Sequence, residues 1–239
     1  MTKLSVNINK IATLRNARGG DLPSVVEAAR QLQNFGAQGI TIHPRPDQRH
    51  ITRKDVYDLK PVVTTEFNIE GNPHRPFIDM VLDIKPEQVT LVPDAEDAIT
   101  SNAGWDCEKN MDFLKLVIEE FKNAGIRTSI FLDPNPKMVA FAKETGADRI
   151  ELYTEAYASN YATNREKALQ PYLETALEAE KCGLGINAGH DLSLENIKYF
   201  SDQIPNLLEV SIGHALISEA LYRGLENTVQ AYLKRLAKW

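Results

Sequence analysis

The sequence contains two cysteines, Cys107 and Cys182, and no apolar run that approaches the length of a membrane span. Two cysteines are too few for a disulfide framework or a cysteine metal cluster, and a membrane helix needs about 20 apolar residues. Basic residues are also scarce, with 27 Lys and Arg against 33 Asp and Glu. This balance disfavours a general nucleic-acid-binding surface. The first residues lack the apolar core of a signal peptide. We therefore expect a cytoplasmic protein that binds neither membranes nor nucleic acids.

The composition is that of a globular protein. Of its 239 residues, 43% are hydrophobic, and 13 Gly and 12 Pro are spread along the chain. This apolar content is too high for a disordered protein, and no low-complexity segment or linker interrupts the sequence. We expect residues 1–239 to form one domain.

Short β-rich segments alternate with helix-like segments along the whole chain. The predicted strands are Leu4–Ile8, Gly39–His43, Thr64–Glu70, Gln88–Pro93, Arg127–Leu132, Arg149–Thr154, Gly183–Asn187 and Leu208–Gly213. The predicted helices are Ser24–Phe35, Arg53–Leu59, Pro73–Leu82, Glu108–Ala124, Lys137–Thr145, a long segment ending near Lys181, Leu194–Ser201 and Ala215–Lys234. In the long segment, Pro171 predicts either a kink or a helix that begins near Leu169.

Strict alternation of strands and helices predicts an α/β fold with a parallel sheet and helices outside it. Eight such units, about 30 residues each, predict a closed (β/α)8 TIM barrel with extra helices. A doubly wound open sheet is the alternative. Its dinucleotide-binding form is disfavoured because no Gly-x-Gly-x-x-Gly motif follows the first strand.

Polar residues collect where the predicted strands end, which is where TIM barrels build their active sites. They are Asn7, Asn9, Lys10, Arg15, Arg18, His43, Arg45, Arg49, His50, Glu70, Thr100, Glu151, Thr154, His190, Asp191, Gly213 and His214. Four of the five histidines fall in this set, and His74 is expected at a helix start. Histidine and glutamate are suited to proton transfer, so the predicted rim indicates acid–base chemistry in several steps.

The basic residues of the rim indicate an anionic substrate. Lys10 and Arg18 follow the first strand, and Arg45 and His50 follow the second. Arginine binds phosphate through paired hydrogen bonds, and an acidic protein that keeps such residues at its cleft suggests a phosphorylated ligand. Gly213-His214, at the start of a helix after the last strand, is typical of a barrel phosphate site.

Three further interpretations remain open at this stage. Glu66, Asn68 and Glu70 share one face of their strand, so Glu70 is either a buried carboxyl with a raised pKa or an ordinary partner of an arginine. A metal site built from His43, Glu70, His190 and His214 is disfavoured by their spacing, and we expect no metal. Lys10 as a Schiff-base lysine is a minor alternative.

Several segments closely resemble the pyridoxine 5′-phosphate synthase family. They are Val6–Ile8, Ile11–Gly19, Gly39–Arg45, Arg49–Thr52, Asn68–Glu70, Leu91–Pro93, Asn187–His190 and Ile212–Ala215, in order along the chain. The resemblance implies the barrel fold and the joining of 1-deoxy-D-xylulose 5-phosphate to 3-amino-2-oxopropyl phosphate. The products would be pyridoxine 5′-phosphate, inorganic phosphate and water. It also implies a homo-octamer that needs no metal or organic cofactor.

The resemblance assigns roles to the rim. His43 corresponds to the family's proton acceptor, Glu70 to its second acid–base group and His190 to its proton donor, with Glu151 as a possible additional group. Substrate-binding positions are Asn7, Asn9, Lys10, Arg18, Arg45, His50, Thr100, Asp191, Gly213 and His214. Of these, Asn7, Arg18, Gly213 and His214 match the aminoketone phosphate site, and Arg45, His50 and Thr100 match the deoxyxylulose phosphate site. The long polar loop over residues 94–107 is a candidate lid.

The sequence departs from the usual family pattern beside the site. Asn9-Lys10 stands where Asp-His is usual, and Asp191 stands where glycine usually follows the catalytic histidine. A carboxylate near a phosphate is unfavourable unless its side chain turns away. Two alternative functions remain: another phosphosugar aldolase or isomerase on the same barrel, and a non-catalytic phosphate-binding barrel.

Overall fold

A computed structural model describes residues 1–94 and 103–237 of the chain. Eight parallel strands form a closed barrel in chain order, and the last strand pairs with the first. The strands are β1 (Lys3–Asn7), β2 (Gly39–Ile42), β3 (Glu66–Gly71), β4 (Gln88–Leu91), β5 (Arg127–Leu132), β6 (Arg149–Tyr153), β7 (Gly185–His190) and β8 (Leu207–Ile212). The predicted TIM barrel is confirmed, and the open sheet is wrong.

Helices surround the barrel and begin and end within a few residues of most predicted positions. They are α1 (Asn9–Asn16), α2 (Val25–Asn34), α3 (Arg53–Leu59), α4 (Arg75–Ile84), α5 (Met111–Asn123), α6 (Pro136–Glu144), α7 (Glu155–Lys181), α8 (Ile197–Gln203), α9 (His214–Arg223) and α10 (Leu225–Leu236). Among the described residues, no helix is both long and apolar enough to cross a membrane.

Three helix predictions need correction. Helix α1 occupies a segment that the sequence indicated to be a loop, and its N-terminus has no side-chain cap to signal it. The predicted helix Ala215–Lys234 is two helices, separated at Gly224, whose φ of 81° favours glycine. Helix α7 is interrupted at Asn164 rather than near Pro171. The Asn164 side chain accepts a hydrogen bond from the Lys167 N–H, as a new N-cap does.

The apolar core lies between the strands and the helices, whereas the barrel interior is polar. Alternate strand residues face inward. The Ser5 and Thr41 hydroxyls are 2.7 Å apart, and the Asn68 amide links Thr41 to the Thr90 hydroxyl. Thr90 in turn lies 3.4 Å from Glu151. This inward polar face leads up to the carboxyl end of the barrel.

Arg15, expected in a rim loop, instead belongs to a buried ion pair. It lies on α1, and its guanidinium donates to both Asp55 oxygens at 2.5 and 2.8 Å. It also donates to the His50 carbonyl oxygen at 3.1 Å. Arg15 therefore anchors the loop that carries His50.

Candidate active site

Glu70 lies at the carboxyl end of β3, faces the barrel interior and has only 13% of its side chain exposed. Its Oε2 accepts a hydrogen bond from Asn7 Nδ2, and its Oε1 accepts one from the Ser211 hydroxyl, both at 3.4 Å. Burial raises the pKa of Glu70 to about 8, and the nearby carboxylate of Asp94 also favours the protonated form. The inward placement is confirmed, and pairing with an arginine is wrong for Glu70. Glu66, at the other end of the strand, is the carboxylate that pairs with Arg127.

His43 follows β2 directly and lies beside Glu70. Its Nδ1 is 3.9 Å from Glu70 Oε2, and its backbone N–H donates to Asn9 Oδ1 at 3.0 Å. Burial lowers the pKa of His43 well below its usual value, and the positive charge of Arg45 lowers it further. At neutral pH the contact therefore joins an uncharged imidazole to a protonated carboxyl, and it is not an ion pair.

The protonation states of His43 and Glu70 suit them to opposite roles in proton transfer. A neutral imidazole accepts a proton, and a protonated carboxyl donates one. Environments that shift two neighbouring pKa values in opposite directions are typical of acid–base pairs in enzymes. The barrel end can therefore move protons in both directions near neutral pH.

Glu151 is a second buried carboxyl in the same interior. It lies on β6, and its Oε2 is 3.4 Å from the Thr90 hydroxyl. Burial raises the pKa of Glu151 to about 8, and the charge of Glu70 contributes. Glycine is required at position 189, because a Cβ atom there would lie 2.6 Å from Glu151 Oε1 and 2.9 Å from the Ser211 carbonyl oxygen.

We expect Glu151→Gln to reduce the pH dependence of folding stability. The Glu151 pKa is about 8 in the folded protein against an ordinary 4.5. The folded state therefore binds more protons between these values, and stability falls as pH rises through that window. One such group contributes at most roughly 1.4 kcal/mol per pH unit. The pKa of His43 is lowered, so this residue makes stability rise with pH, and it does so below the ordinary histidine pKa of 6.5.

Urea unfolding at several pH values measures this effect. The free energy of unfolding of Glu151→Gln should decline less steeply between about pH 5 and 8 than that of the unsubstituted protein. Glu166→Gln, at an exposed position on α7, is the matched control and should leave the slope unchanged. Equal slopes in all three proteins would mean that Glu151 does not hold its proton.

His190 ends β7 in an uncommon backbone conformation. Its φ is 90°, a region that residues other than glycine rarely adopt. Its ring Nδ1 is 2.6 Å from Asp191 Oδ2, and the Tyr153 ring meets it edge-on with 5.4 Å between centroids. The Asp191 carboxylate therefore contacts the His190 imidazole, which explains how a carboxylate can lie next to a predicted phosphate site.

Three of the four predicted aminoketone phosphate residues, Asn7, Gly213 and His214, lie at two neighbouring strand ends. Gly213 precedes the first residue of α9, His214, so backbone N–H groups point outward at this helix start. A Cβ atom at Gly213 would lie 3.2 Å from the Asn7 Cβ, so the two strand ends are in close contact. His214 is exposed, and so is Arg18, in the turn after α1. The structure thus brings Asn7, Gly213 and His214 together.

Two of the predicted deoxyxylulose phosphate residues, Arg45 and His50, lie in the loop after β2. Arg45 is buried and its guanidinium donates to Asp94 Oδ2 at 2.6 Å. His50 Nδ1 accepts the Ile51 N–H at 2.9 Å. Burial lowers the pKa of His50 to about 4, and the charges of Arg45 and Lys10 contribute. His50 is therefore a neutral donor through Nε2 at neutral pH. Thr100 lies outside the described residues, as does most of the candidate lid.

Lys10 is exposed on the first turn of α1, unlike the desolvated lysines that form Schiff bases. We expect Lys10→Ala to raise KM for the deoxyxylulose phosphate more than it lowers kcat, because an exposed cation attracts the phosphate without entering the chemistry. Added salt should shrink the effect. Lys115→Ala, on the exposed face of α5, is the control. A fall in kcat of about 10³-fold at constant KM would reopen the Schiff-base interpretation.

The metal alternative has no support in the arrangement of side chains. Across residues 1–94 and 103–237, no three His, Cys, Asp or Glu side chains form a group able to hold a metal ion.

Two neighbours of the site, Asp94 and Ser211, were not predicted from the sequence. The position of Ser211 could have been predicted, because alternate residues of a strand face the same side and Ser211 is two residues after Glu209 on β8. Both polar side chains therefore face the barrel interior, where Ser211 contacts Glu70.

Comparison with known proteins identifies the family. A family model described as "Pyridoxal phosphate biosynthesis protein PdxJ" matches residues 4–238. The chain belongs to the PdxJ family. It is 66% identical over 236 residues to the pyridoxine 5'-phosphate synthase of Christiangramia forsetii, covering 99% of this chain and all of the relative. The relative of the same name from Flavobacterium johnsoniae is 65% identical, with the same coverage. The resemblance drawn from the motifs is confirmed.

Solved structures of other barrels share the fold of this PdxJ chain. Phosphoribosylanthranilate isomerase from Thermotoga maritima aligns with a TM-score of 0.61 at 12% identity, over 99% of this chain and 98% of that one. Thiamine phosphate pyrophosphorylase from Pyrococcus furiosus aligns with a TM-score of 0.63 at 11% identity, over 98% and 95%. At this identity the likeness extends to the fold alone.

Proposed function

We propose that the chain joins 1-deoxy-D-xylulose 5-phosphate to 3-amino-2-oxopropyl phosphate and closes the ring of pyridoxine 5′-phosphate, releasing inorganic phosphate and water. The opposite pKa shifts of His43 and Glu70, 3.9 Å apart, are the observation that carries this proposal within the PdxJ family. The amine nucleophile comes from a substrate. The protein therefore needs proton carriers rather than a nucleophilic side chain of its own.

Each proposed catalytic residue has a task suited to its state at neutral pH. Imine formation, loss of phosphate, enolisation and dehydration each move a proton. Neutral His43 accepts a proton, and protonated Glu70 donates one and later takes one back. His190 acts as the donor from the carboxyl end of β7, and Glu151, on the neighbouring strand β6, is an additional acid–base group.

The two substrates occupy different parts of the rim in this proposal. The aminoketone phosphate binds at Asn7, Arg18, Gly213 and His214. The deoxyxylulose phosphate binds at Arg45 and His50 with Asn9, Lys10 and Thr100. Two sites are supported by the separate clusters at the start of α9 and in the loop after β2. Arg45 already pairs with Asp94, so the phosphate would share or replace that partner.

The family resemblance also supports three properties of the working enzyme. We expect a homo-octamer that works in the cytoplasm without a metal or organic cofactor. Light scattering gives the oligomeric state, and activity after exhaustive treatment with a chelator tests the expectation about metals.

The function is tested by incubating the purified protein with both phosphates, and with each alone. Mass spectrometry of the product and an assay of inorganic phosphate should show pyridoxine 5′-phosphate and phosphate only when both substrates are present. Release of phosphate or conversion of one substrate alone would instead favour another phosphosugar aldolase or isomerase. No reaction in any arm would favour a phosphate-binding barrel without catalysis.

A further inference from the structure

The ring of His190 is held by the side chain that follows it in the sequence. Asp191 Oδ2 lies 2.6 Å from His190 Nδ1, which makes this a short hydrogen bond between an imidazole and a carboxylate. Both side chains are about one-third exposed, at 31% and 32%. The contact therefore lies at the mouth of the site rather than in the buried interior.

The backbone on both sides of His190 is held from the neighbouring strand. The buried Thr154 hydroxyl follows β6 and donates to the Gly189 carbonyl oxygen at 2.6 Å. The same hydroxyl accepts the Asp191 N–H at 3.2 Å. One side chain thus bridges the residues before and after His190, whose φ of 90° is costly without such support.

We propose that Asp191 and Thr154 are positioning residues for His190, with Asp191 fixing its ring and Thr154 fixing its backbone. This inference rests on the proposed role of His190 as a proton donor. It replaces the expectation that Asp191 contacts substrate, because a carboxylate beside a phosphate is repelled while one beside an imidazole is attracted. Asp191 is thereby given a role that the glycine usual in the family cannot perform.

The contact determines which ring nitrogen does the chemistry. A carboxylate accepts only, so Nδ1 keeps its hydrogen in the bond to Asp191. The proton that leaves the imidazolium is then the one on Nε2, and the neutral ring that remains carries its hydrogen on Nδ1. The hydrogen bond at one ring nitrogen sets the state of the other.

Steady-state kinetics with Asp191→Ala tests the ring contact. We expect kcat to fall by about 10- to 100-fold, the scale at which partners that orient functional histidines act. KM for either substrate should stay within about twofold, because no substrate contact is lost. In a His190→Asn background the same substitution should have almost no effect, because Asp191 acts through His190. Equal losses in both backgrounds, or a rise in KM for the aminoketone phosphate alone, would overturn the proposal.

Thr154→Val and Thr154→Ser form the matched pair for the backbone support. Valine has nearly the shape of threonine but no hydroxyl, whereas serine keeps the hydroxyl. Serine should restore most of the kcat that valine loses, at equal substrate KM. Circular dichroism confirms that each variant is folded before kinetics are compared. Equal kcat values in the two variants would contradict the role of the Thr154 hydroxyl.

Nuclear magnetic resonance of ¹⁵N-histidine-labelled protein reads the ring directly and does not depend on activity. The His190 signals are assigned by their loss in His190→Asn. Neutral His190 should carry hydrogen on Nδ1 in the unsubstituted protein and shift towards Nε2 in Asp191→Ala. The same tautomer in both proteins would refute the positioning role. An inactive unsubstituted protein with the expected tautomer shift would refute the proposed function and leave the His190–Asp191 pairing standing.

Discussion

Glu70→Gln is expected to lower kcat by about 100-fold or more, with KM for both substrates nearly unchanged. Glutamine keeps the size of the side chain and one oxygen that can accept from Asn7 or Ser211. It cannot release or take up a proton at neutral pH. The loss therefore falls on the chemical steps rather than on binding. Steady-state kinetics with both phosphates measures it.

Glu66→Gln is the matched control for this substitution. Glu66 lies on the same strand and the same inward face, but it pairs with Arg127 and Lys3 at the far end of the barrel. Breaking this partly buried pairing should lower the melting temperature while kcat stays close to that of the unsubstituted protein. Nearly normal turnover in Glu70→Gln would show that Glu70 is only structural.

His43→Asn is expected to cost at least as much, about 100-fold in kcat, and to change the pH profile. The proposed mechanism needs neutral His43 and protonated Glu70 together. The low pKa of His43 places the acidic limb of a bell-shaped profile below pH 6.5, and the Glu70 pKa of about 8 sets the alkaline limb. Removing His43 should abolish the acidic limb, and removing Glu70 the alkaline one.

His74→Asn is a suitable control, because His74 caps α4 through Nδ1 and asparagine is itself a good N-cap. Its profile should match that of the unsubstituted protein. His190→Asn, in contrast, should lose activity as His43→Asn does. A flat profile between about pH 5 and 9 for the unsubstituted protein would mean that a step other than proton transfer limits turnover.

The barrel and most of its rim could be predicted because both depend on local periodicity. The alternation over Glu66, Asn68 and Glu70 put three polar residues on one face, and a closed parallel barrel leaves that face inside. Boundaries were less predictable where local signals were weak. Helix α1 has no side-chain cap, and the break in α7 follows the cap at Asn164 rather than the proline that stood out in the sequence.

The partners that tune the site could not be predicted, because they are remote in sequence. Ser211 reaches Glu70 across 141 residues, and Asp94 reaches Arg45 across 49. Asp191 is adjacent to its partner, yet its sequence position alone suggested conflict with a phosphate. The His190 backbone, with a φ of 90° at the end of β7, places the Asp191 carboxylate against the imidazole ring. These contacts depend on the assembled barrel rather than on any local pattern.

The proposed chemistry depends on a protonated Glu70 beside a neutral His43 at neutral pH. The most direct test is a ¹³C nuclear magnetic resonance titration of protein labelled at the glutamate carboxyl carbons, with assignments from Glu70→Gln and Glu151→Gln. We expect the carboxyl signal that is lost in Glu70→Gln to titrate near pH 8 in the unsubstituted protein, where Glu70 and Glu151 interact. Titration of the Glu70 carboxyl near the ordinary value of 4.5 would contradict this expectation, whatever the value for Glu151.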